Sequence, residues 1–257
     1  MKHRNYLAIA AIGGVALSSS SFAAIIGTDN ASASAYSGGW VDGTDGSITG
    51  IGAYGTWFLN PGVDITHSIA SVSSLSSNPP NLDTSGVSFR MTGTNGQEAT
   101  AFRFIDPAGL VVGQSFSIDL AVNFRNGFKG IDMRGADTNA IFNFNIGSDD
   151  YVVSAAATGN GSIGDSYSDN TLFSIVFEQT SLAGGNWSIA RSGGVTDFDS
   201  GTYTGIASSI KLYVGGTDGS DADALFFNNL ATVPEPSHYG LMIGVGAMGL
   251  LFLRRRR

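Results

Sequence analysis

Between Ala24 and Thr232 the apolar residues recur with a period of two rather than 3.6, the spacing of strands whose side chains alternate between faces. Phe116, Ile118, Leu120, Val122 and Phe124 hold successive alternate positions, with Ser115, Ser117, Asp119, Asn123 and Arg125 on the other face. That predicts a long half-buried strand. The same alternation predicts strands through Val87, Phe89 and Met91, through Phe102 and Phe104, through Phe142, Phe144 and Ile146, and through Ile210, Leu212 and Val214. Phe173, Ile175 and Phe177 carry Leu172 and Val176 opposite them, which reads as a central strand covered on both faces. A hairpin through Ala183-Gly184-Gly185-Asn186 leads on to Trp187 and Ile189.

Turn residues recur at Asn126-Gly127, Gly147-Ser148-Asp149-Asp150, Gly193-Gly194 and Gly215 to Gly219. About eleven short strands at this spacing predict an all-β fold, a single two-sheet antiparallel β-sandwich of jelly-roll type. Residues 66–86, rich in Ser, Asn and Pro, read as a long surface loop that holds His67 in solvent.

The two ends depart from this pattern. Residues 1–23 read as a signal peptide: basic Lys2 and Arg4, an apolar run from Tyr6 to Leu17, and a Ser-rich stretch whose small residues Ser21 and Ala23 put cleavage after Ala23. The alternative is an uncleaved membrane helix, for which the run is short of the ~20 residues a span needs. At the other end Val233-Pro234-Glu235-Pro236 precedes an uncharged run, 239–253, and then Arg254, Arg255, Arg256 and Arg257. As a helix that run rises only about 23 Å, marginal for a hydrocarbon core of about 30 Å. Arginines stay on the cytoplasmic side, so the domain faces outward.

Pro-Glu-Pro, a short glycine-rich span and a terminal basic cluster, together over residues 233–257, resemble the PEP-CTERM sorting domain. The resemblance implies recognition by an exosortase, a membrane-embedded transpeptidase-like protease, in Gram-negative bacteria that make exopolysaccharide. With the leader, the expected partners also include the Sec machinery and signal peptidase; the expected course is an inner-membrane hold through the C-terminal helix before processing, then a cell-surface or extracellular destination. An ordinary tail anchor that is never cut is the other reading of the same residues. The stretches Asp29 to Tyr36, Gly38-Gly39-Trp40, Gly50 to Trp57, Asp150 to Val153 and Leu225 to Leu230 resemble secreted bacterial sandwich proteins that carry this anchor. That implies a concanavalin-A-like jelly roll over residues 24–232 with no established activity.

Composition narrows the function. Glycine is 36 of 257 residues and proline only 6, a balance that suits many turns rather than a collagen-like or proline-rich stalk. Lys2, Arg4 and the four terminal arginines leave seven basic residues between the ends, against 20 acids, so the exported domain carries about −13. A domain of that charge disfavours nucleic acid and anionic lipid as partners. With no cysteine, a thiol nucleophile, a thiolate cluster and disulfides are excluded.

Catalytic constellations are hard to assemble from what remains. His3 lies in the leader and His238 at the anchor, which leaves His67 as the only candidate for a triad base. Before the anchor Glu98 and Glu178 each stand alone, and the Glu-x-Asp-x-x-Glu spacing that puts two carboxylates ~5 Å apart for glycoside hydrolysis is missing. Three GxGxxG matches, at Gly50, Gly159 and Gly244, follow from glycine content, since none opens a helix in a βαβ unit.

Two binding candidates stand. Asp42 and Asp45 in one Gly-rich loop, and Asp218, Asp221 and Asp223 in another, offer hard oxygens for structural calcium, or else cap their own turns. Tyr36, Trp40, Tyr54, Trp57 and Trp187 are candidates for stacking on pyranose rings, or else core residues. The expectation is a non-enzymatic adhesion or structural component of an exopolysaccharide-associated envelope or biofilm. A carbohydrate-binding module or glycan-active enzyme is the alternative.

Overall fold

The computed structural model describes residues 27–47, 54–71, 82–105, 108–124, 126–147, 150–155, 159–163 and 171–234. The signal peptide expected over residues 1–23, with its cleavage after Ala23, and Glu235, Pro236, the run 239–253 and Arg254 to Arg257, lie outside them. The described chain is all β apart from one 3-10 turn, Ser34–Tyr36. Its strands are β1 (Gly27–Asp29), β2 (Phe58–Leu59), β3 (Ile65–Ala70), β4 (Ser88–Gly93), β5 (Glu98–Phe104), β6 (Gln114–Val122), β7 (Phe128–Arg134), β8 (Ala140–Gly147), β9 (Asp150–Ala155), β10 (Gly159–Ser162), β11 (Thr171–Ser181), β12 (Gly184–Ser192), β13 (Asp197–Thr204), β14 (Ser209–Gly215) and β15 (Leu225–Pro234).

They form two antiparallel sheets. One has eight strands in the order β13-β12-β11-β6-β15-β4-β3, with β1 added beside β15; the other has seven, β10-β9-β8-β7-β14-β5-β2. The sandwich follows from alternation, because each strand turns one apolar row inward. Phe116, Ile118, Leu120 and Val122 of β6, Phe173, Ile175 and Phe177 of β11, and Phe142, Phe144 and Ile146 of β8 are all buried in one core. Phe142 meets Phe177 edge-on at 4.9 Å and Phe144 meets Phe173 at 4.8 Å, which joins the two sheets across the middle.

Several local expectations are corrected. Strand β6 stops at Val122, two residues short of Phe124, which is 44% exposed. There the Phe124 N–H donates to Ala222 O and its carbonyl accepts Lys129 Nζ at 2.7 Å, so the chain bends out of the sheet. Strand β11 lies inside its sheet, and on its outer face Leu172 packs against a small cluster of Leu82, Ala121, Ala224 and Phe226, whereas Val176 is exposed. The hairpin turns at Leu182 and Ala183, and Gly184, Gly185 and Asn186 already belong to β12.

The loop expected over 66–86 begins later, because Ile65–Ala70 pairs with β4 and puts His67 opposite Met91. His67 is half-buried, donates from Nε2 to Thr100 O at 3.0 Å and meets Trp40 edge-on at 5.4 Å. Burial lowers its pKa. It is a packing residue rather than a solvated one.

The largest correction is the phase of β5. Its inward residues are Ala99, Ala101 and Arg103, while Phe102 and Phe104 point outward. Small inward residues make room for Tyr54 and Trp57, which enter the core from the N-terminal segment, and the buried Arg103 guanidinium lies 4.8 and 4.9 Å from their rings.

Candidate functional site

Strand register across the seven-stranded sheet lines up one outward row: Ser154, Asn143, Asp132, Lys211, Phe102 and Phe58, from β9 to β2. The next row carries Val152, Asn145, Gly130, Tyr213 and Thr100. Each residue alternates with a buried apolar one, so the core dictates that these side chains face out.

The polar centre is hydrogen-bonded together. Asn143 Nδ2 donates to Asp132 Oδ1 and to Tyr213 Oη, both at 2.8 Å. Arg134 Nε reaches Asp132 Oδ2 at 3.3 Å, and Lys211 Nζ reaches Glu98 Oε1 at 2.8 Å. Tyr213 Oη lies 3.3 Å from both Phe144 O and Asn145 Oδ1. Burial raises the Tyr213 phenol pKa, so it stays a neutral donor. Gly130 permits this geometry: a Cβ there would lie 2.0 Å from Phe144 O and 2.7 Å from Tyr213 Oη.

Aromatic rings border the polar centre. Phe58, 51% exposed, lies 6.1 Å from Phe102 and 6.3 Å from Phe104, itself 36% exposed, and the last two meet edge-on at 4.9 Å. On another side Phe128, 40% exposed, tilts against Tyr213 at 6.4 Å. Chemically the face offers amide and carboxylate hydrogen-bond partners, two cations each tied to an acid, and apolar ring surfaces. Those are the groups that a neutral, hydroxyl-rich polymer needs. On the opposite sheet Val176, Glu178, Asn186, Ser188, Ser200 and Thr202 line a shallow depression of about 370 Å³, where Asn186 Nδ2 donates to Glu178 Oε2 at 3.2 Å.

Of the aromatics favoured from the sequence, Trp187 lines the depression on the eight-stranded sheet, yet it is only 4% exposed. Tyr36, Trp40, Tyr54, Trp57 and Trp187 are all buried in the main core, so none presents a ring for a sugar to stack on. Trp40 lies within 5.5 Å of four rings: Trp57 at 5.3, His67 at 5.4, Phe89 at 4.9 and Phe227 at 5.4 Å. Trp57 Nε1 donates to Tyr36 Oη at 2.9 Å, and Tyr36 donates to Asp29 at 2.5 Å. Trp187 lies against Gly201, where a Cβ would come within 2.9 Å of the indole.

The aspartate loops are likewise engaged by the protein itself. Asp45 pairs with Arg103 at 2.5 Å and caps Ser47, and Asp42 accepts Leu59 N–H at 2.9 Å. Asp221 pairs with Arg90 at 2.6 Å. Asp223 Oδ2 accepts from Asn126 at 2.9 Å, while its carbonyl accepts Lys129 Nζ at 2.6 Å. Asp218 caps Ser220, and hydrogen bonds from the Ser220 hydroxyl and N–H lower its pKa. Arg103 meets β14 at Ile210, near one end, and the second loop follows Gly215 at the other end, so the two do not converge. Among the described residues no three metal-ligating side chains cluster.

Pro234 closes β15, and the chain continues with Glu235-Pro236, the uncharged run and the arginines. Residues 232–257 are a PEP-CTERM protein-sorting motif. The PEP-CTERM motif indicates an exported protein anchored at the membrane before processing, with an exosortase as the processing enzyme. Among curated proteins nothing matches the chain. Among solved structures it is similar to a sialidase, at 15% identity and TM-score 0.45 over 69% of this chain, which spans only 16% of that one. It is also similar to a carbohydrate esterase of the Shiga toxin-encoding bacteriophage phi24B, at 12% identity and TM-score 0.44, covering 70% of this chain and 90% of that one. A third similarity is to galectin LEC-6 of Caenorhabditis elegans, at 15% identity and TM-score 0.34, covering 48% and 84%.

Proposed function

We propose that this is a non-enzymatic surface or matrix protein, sorted through its PEP-CTERM motif, whose sandwich adheres to a neutral polysaccharide of the cell envelope or biofilm. The observation that carries the reading is the face in which half-buried Asn143 and Asn145, hydrogen-bonded to the buried Asp132 and Tyr213, are bordered by the exposed rings of Phe58, Phe104 and Phe128. The net charge of about −13 between the two ends favours a neutral glycan over a uronate-rich one, because a polyanion would be repelled as it approached. Retention without turnover fits a face whose two cations are neutralised by Asp132 and Glu98.

A glycan array probed with the exported protein, with and without a calcium chelator, tests this reading. Binding to neutral polysaccharide, insensitive to chelation and without release of sugar, is the expected result. Sugar release would instead support the glycan-active alternative, and no binding to any glycan would remove both.

A further inference from the structure

The PEP-CTERM motif starts inside the folded domain. Its first residues, 232–234, are the last three of β15. On one side they pair with β6: Thr232 with Phe116, Val233 with Ser115 and Pro234 with Gln114. On the other side β1 closes on the same stretch, with Gly27 opposite Thr232. Thr232 is 1% exposed, and its hydroxyl donates to the buried Tyr54 Oη at 3.1 Å. Only Glu235, Pro236, Ser237 and His238 separate Pro234 from Tyr239, where the uncharged run begins. The strand that opens the described domain therefore clasps the strand that runs into the sorting motif.

We infer that the motif is processed as the continuation of a clamped strand. The bond cut lies C-terminal to Pro234, and the clamp slows the cut. This rests on the reading of residues 232–257 as an exosortase substrate. The step breaks one peptide C–N bond: water, or an acceptor amine in a transpeptidation, adds its oxygen or nitrogen to the acyl carbon, and the departing chain leaves as a free amine carrying the proton. A cut before Pro234 would need Thr232 and Val233 drawn out of the ladder and the hydrogen bond from Thr232 to Tyr54 broken. Proteases act on extended, unpaired chain, so an intact ladder is a local barrier to them.

The test compares the full chain with a variant carrying Gly-Ser-Gly-Ser-Gly-Thr-Val-Pro inserted after Pro234. The insertion keeps β15 whole and supplies a second start of the motif away from the sheet. Both are followed in cells that process the parent chain, by intact mass and by the time course over which the arginine tail is removed. The expected outcome is a parent C-terminus that retains Pro234, and a variant processed roughly tenfold faster, the restraint of about one net hydrogen bond. A parent C-terminus at or before Val233, or equal rates, overturns the inference and leaves the sorting reading intact. An undiminished mass that still includes Arg257 overturns both.

Discussion

At the scale of single residues, the buried cations are structural. Arg103 is enclosed by Asp29, Asp45 and Gly55 O, Lys129 by Phe124 O and Asp223 O, and Arg191 reaches Ile163 O at 3.1 Å beneath the Tyr151 ring. Burial raises the Asp29 pKa against the pull of Arg103, a balance that holds only while the pair is complete. Arg103→Met strands that carboxylate in the core and is expected to cost about 3–5 kcal/mol, measured by urea unfolding. A change indistinguishable from zero would mean the pair contributes nothing net.

Titration gives a second prediction at this scale. Burial lowers the Lys129 pKa from 10.5 to about 8, with Asp223 and Asp218 only partly opposing it. Between those two values the unfolded chain holds a proton on this lysine that the folded chain does not, so stability rises with pH through that window. Tyr36, Tyr54, Tyr203 and Tyr213 act in the opposite sense, since burial raises each phenol above its ordinary value of 10.0. Their unfolded forms ionise first, and stability falls as pH rises past 10.0. The melting temperature should rise above pH 8 and drop past pH 10. Lys129→Met should abolish the rise and keep the drop; a rise that persists in the variant contradicts the assignment.

At the scale of elements, alternation makes most strands legible. Phe142, Phe144 and Ile146, or Ile210, Leu212 and Val214, are inward as their spacing implies, and their neighbours Asn143, Asn145, Lys211 and Tyr213 are therefore outward. The signal for the candidate face is thus present in the sequence. What alternation does not carry is which strands are neighbours, and β7 beside β8 and β14 is what turns scattered polar residues into one face. In β5 the pattern misleads, because two phenylalanines look like a core row until Tyr54 and Trp57 are found filling the space behind them.

The large aromatics mislead for the same reason: a tryptophan's size says that it buries area, and only the fold says whether a ligand or the core covers it. Two substitutions probe the elements. Gly130→Ala drives a methyl into Phe144 O and Tyr213 Oη and should destabilise by about 1–3 kcal/mol while disturbing the face, a cost read by urea unfolding. Asn229, at φ 57° in the irregular stretch of β15, donates to Asp119 at 3.0 Å and accepts from Thr84 at 2.7 Å. Asn229→Val should cost about 1–3 kcal/mol, more than Asn229→Gly, by thermal unfolding of both variants.

At the scale of the whole molecule, the sandwich presents a face on each sheet, and the two differ in what they expose. The seven-stranded sheet carries a hydrogen-bonded polar centre with rings around it, whereas the depression on the eight-stranded sheet carries short hydroxyl side chains and the Glu178 carboxylate, and among the described residues of that sheet Phe198 is an exposed ring, at 63%. Phe58, Phe104 and Phe198 are exposed enough to be replaced without opening the core. The decisive measurement is affinity electrophoresis of the exported protein through gels containing a neutral polysaccharide, comparing the parent, Phe58→Ser/Phe104→Ser and Phe198→Ser. Retarded migration of the parent and of Phe198→Ser, with retardation cut by about tenfold or more in the double variant, is the predicted result. Equal retardation of all three, or none in the parent, contradicts adhesion through this face.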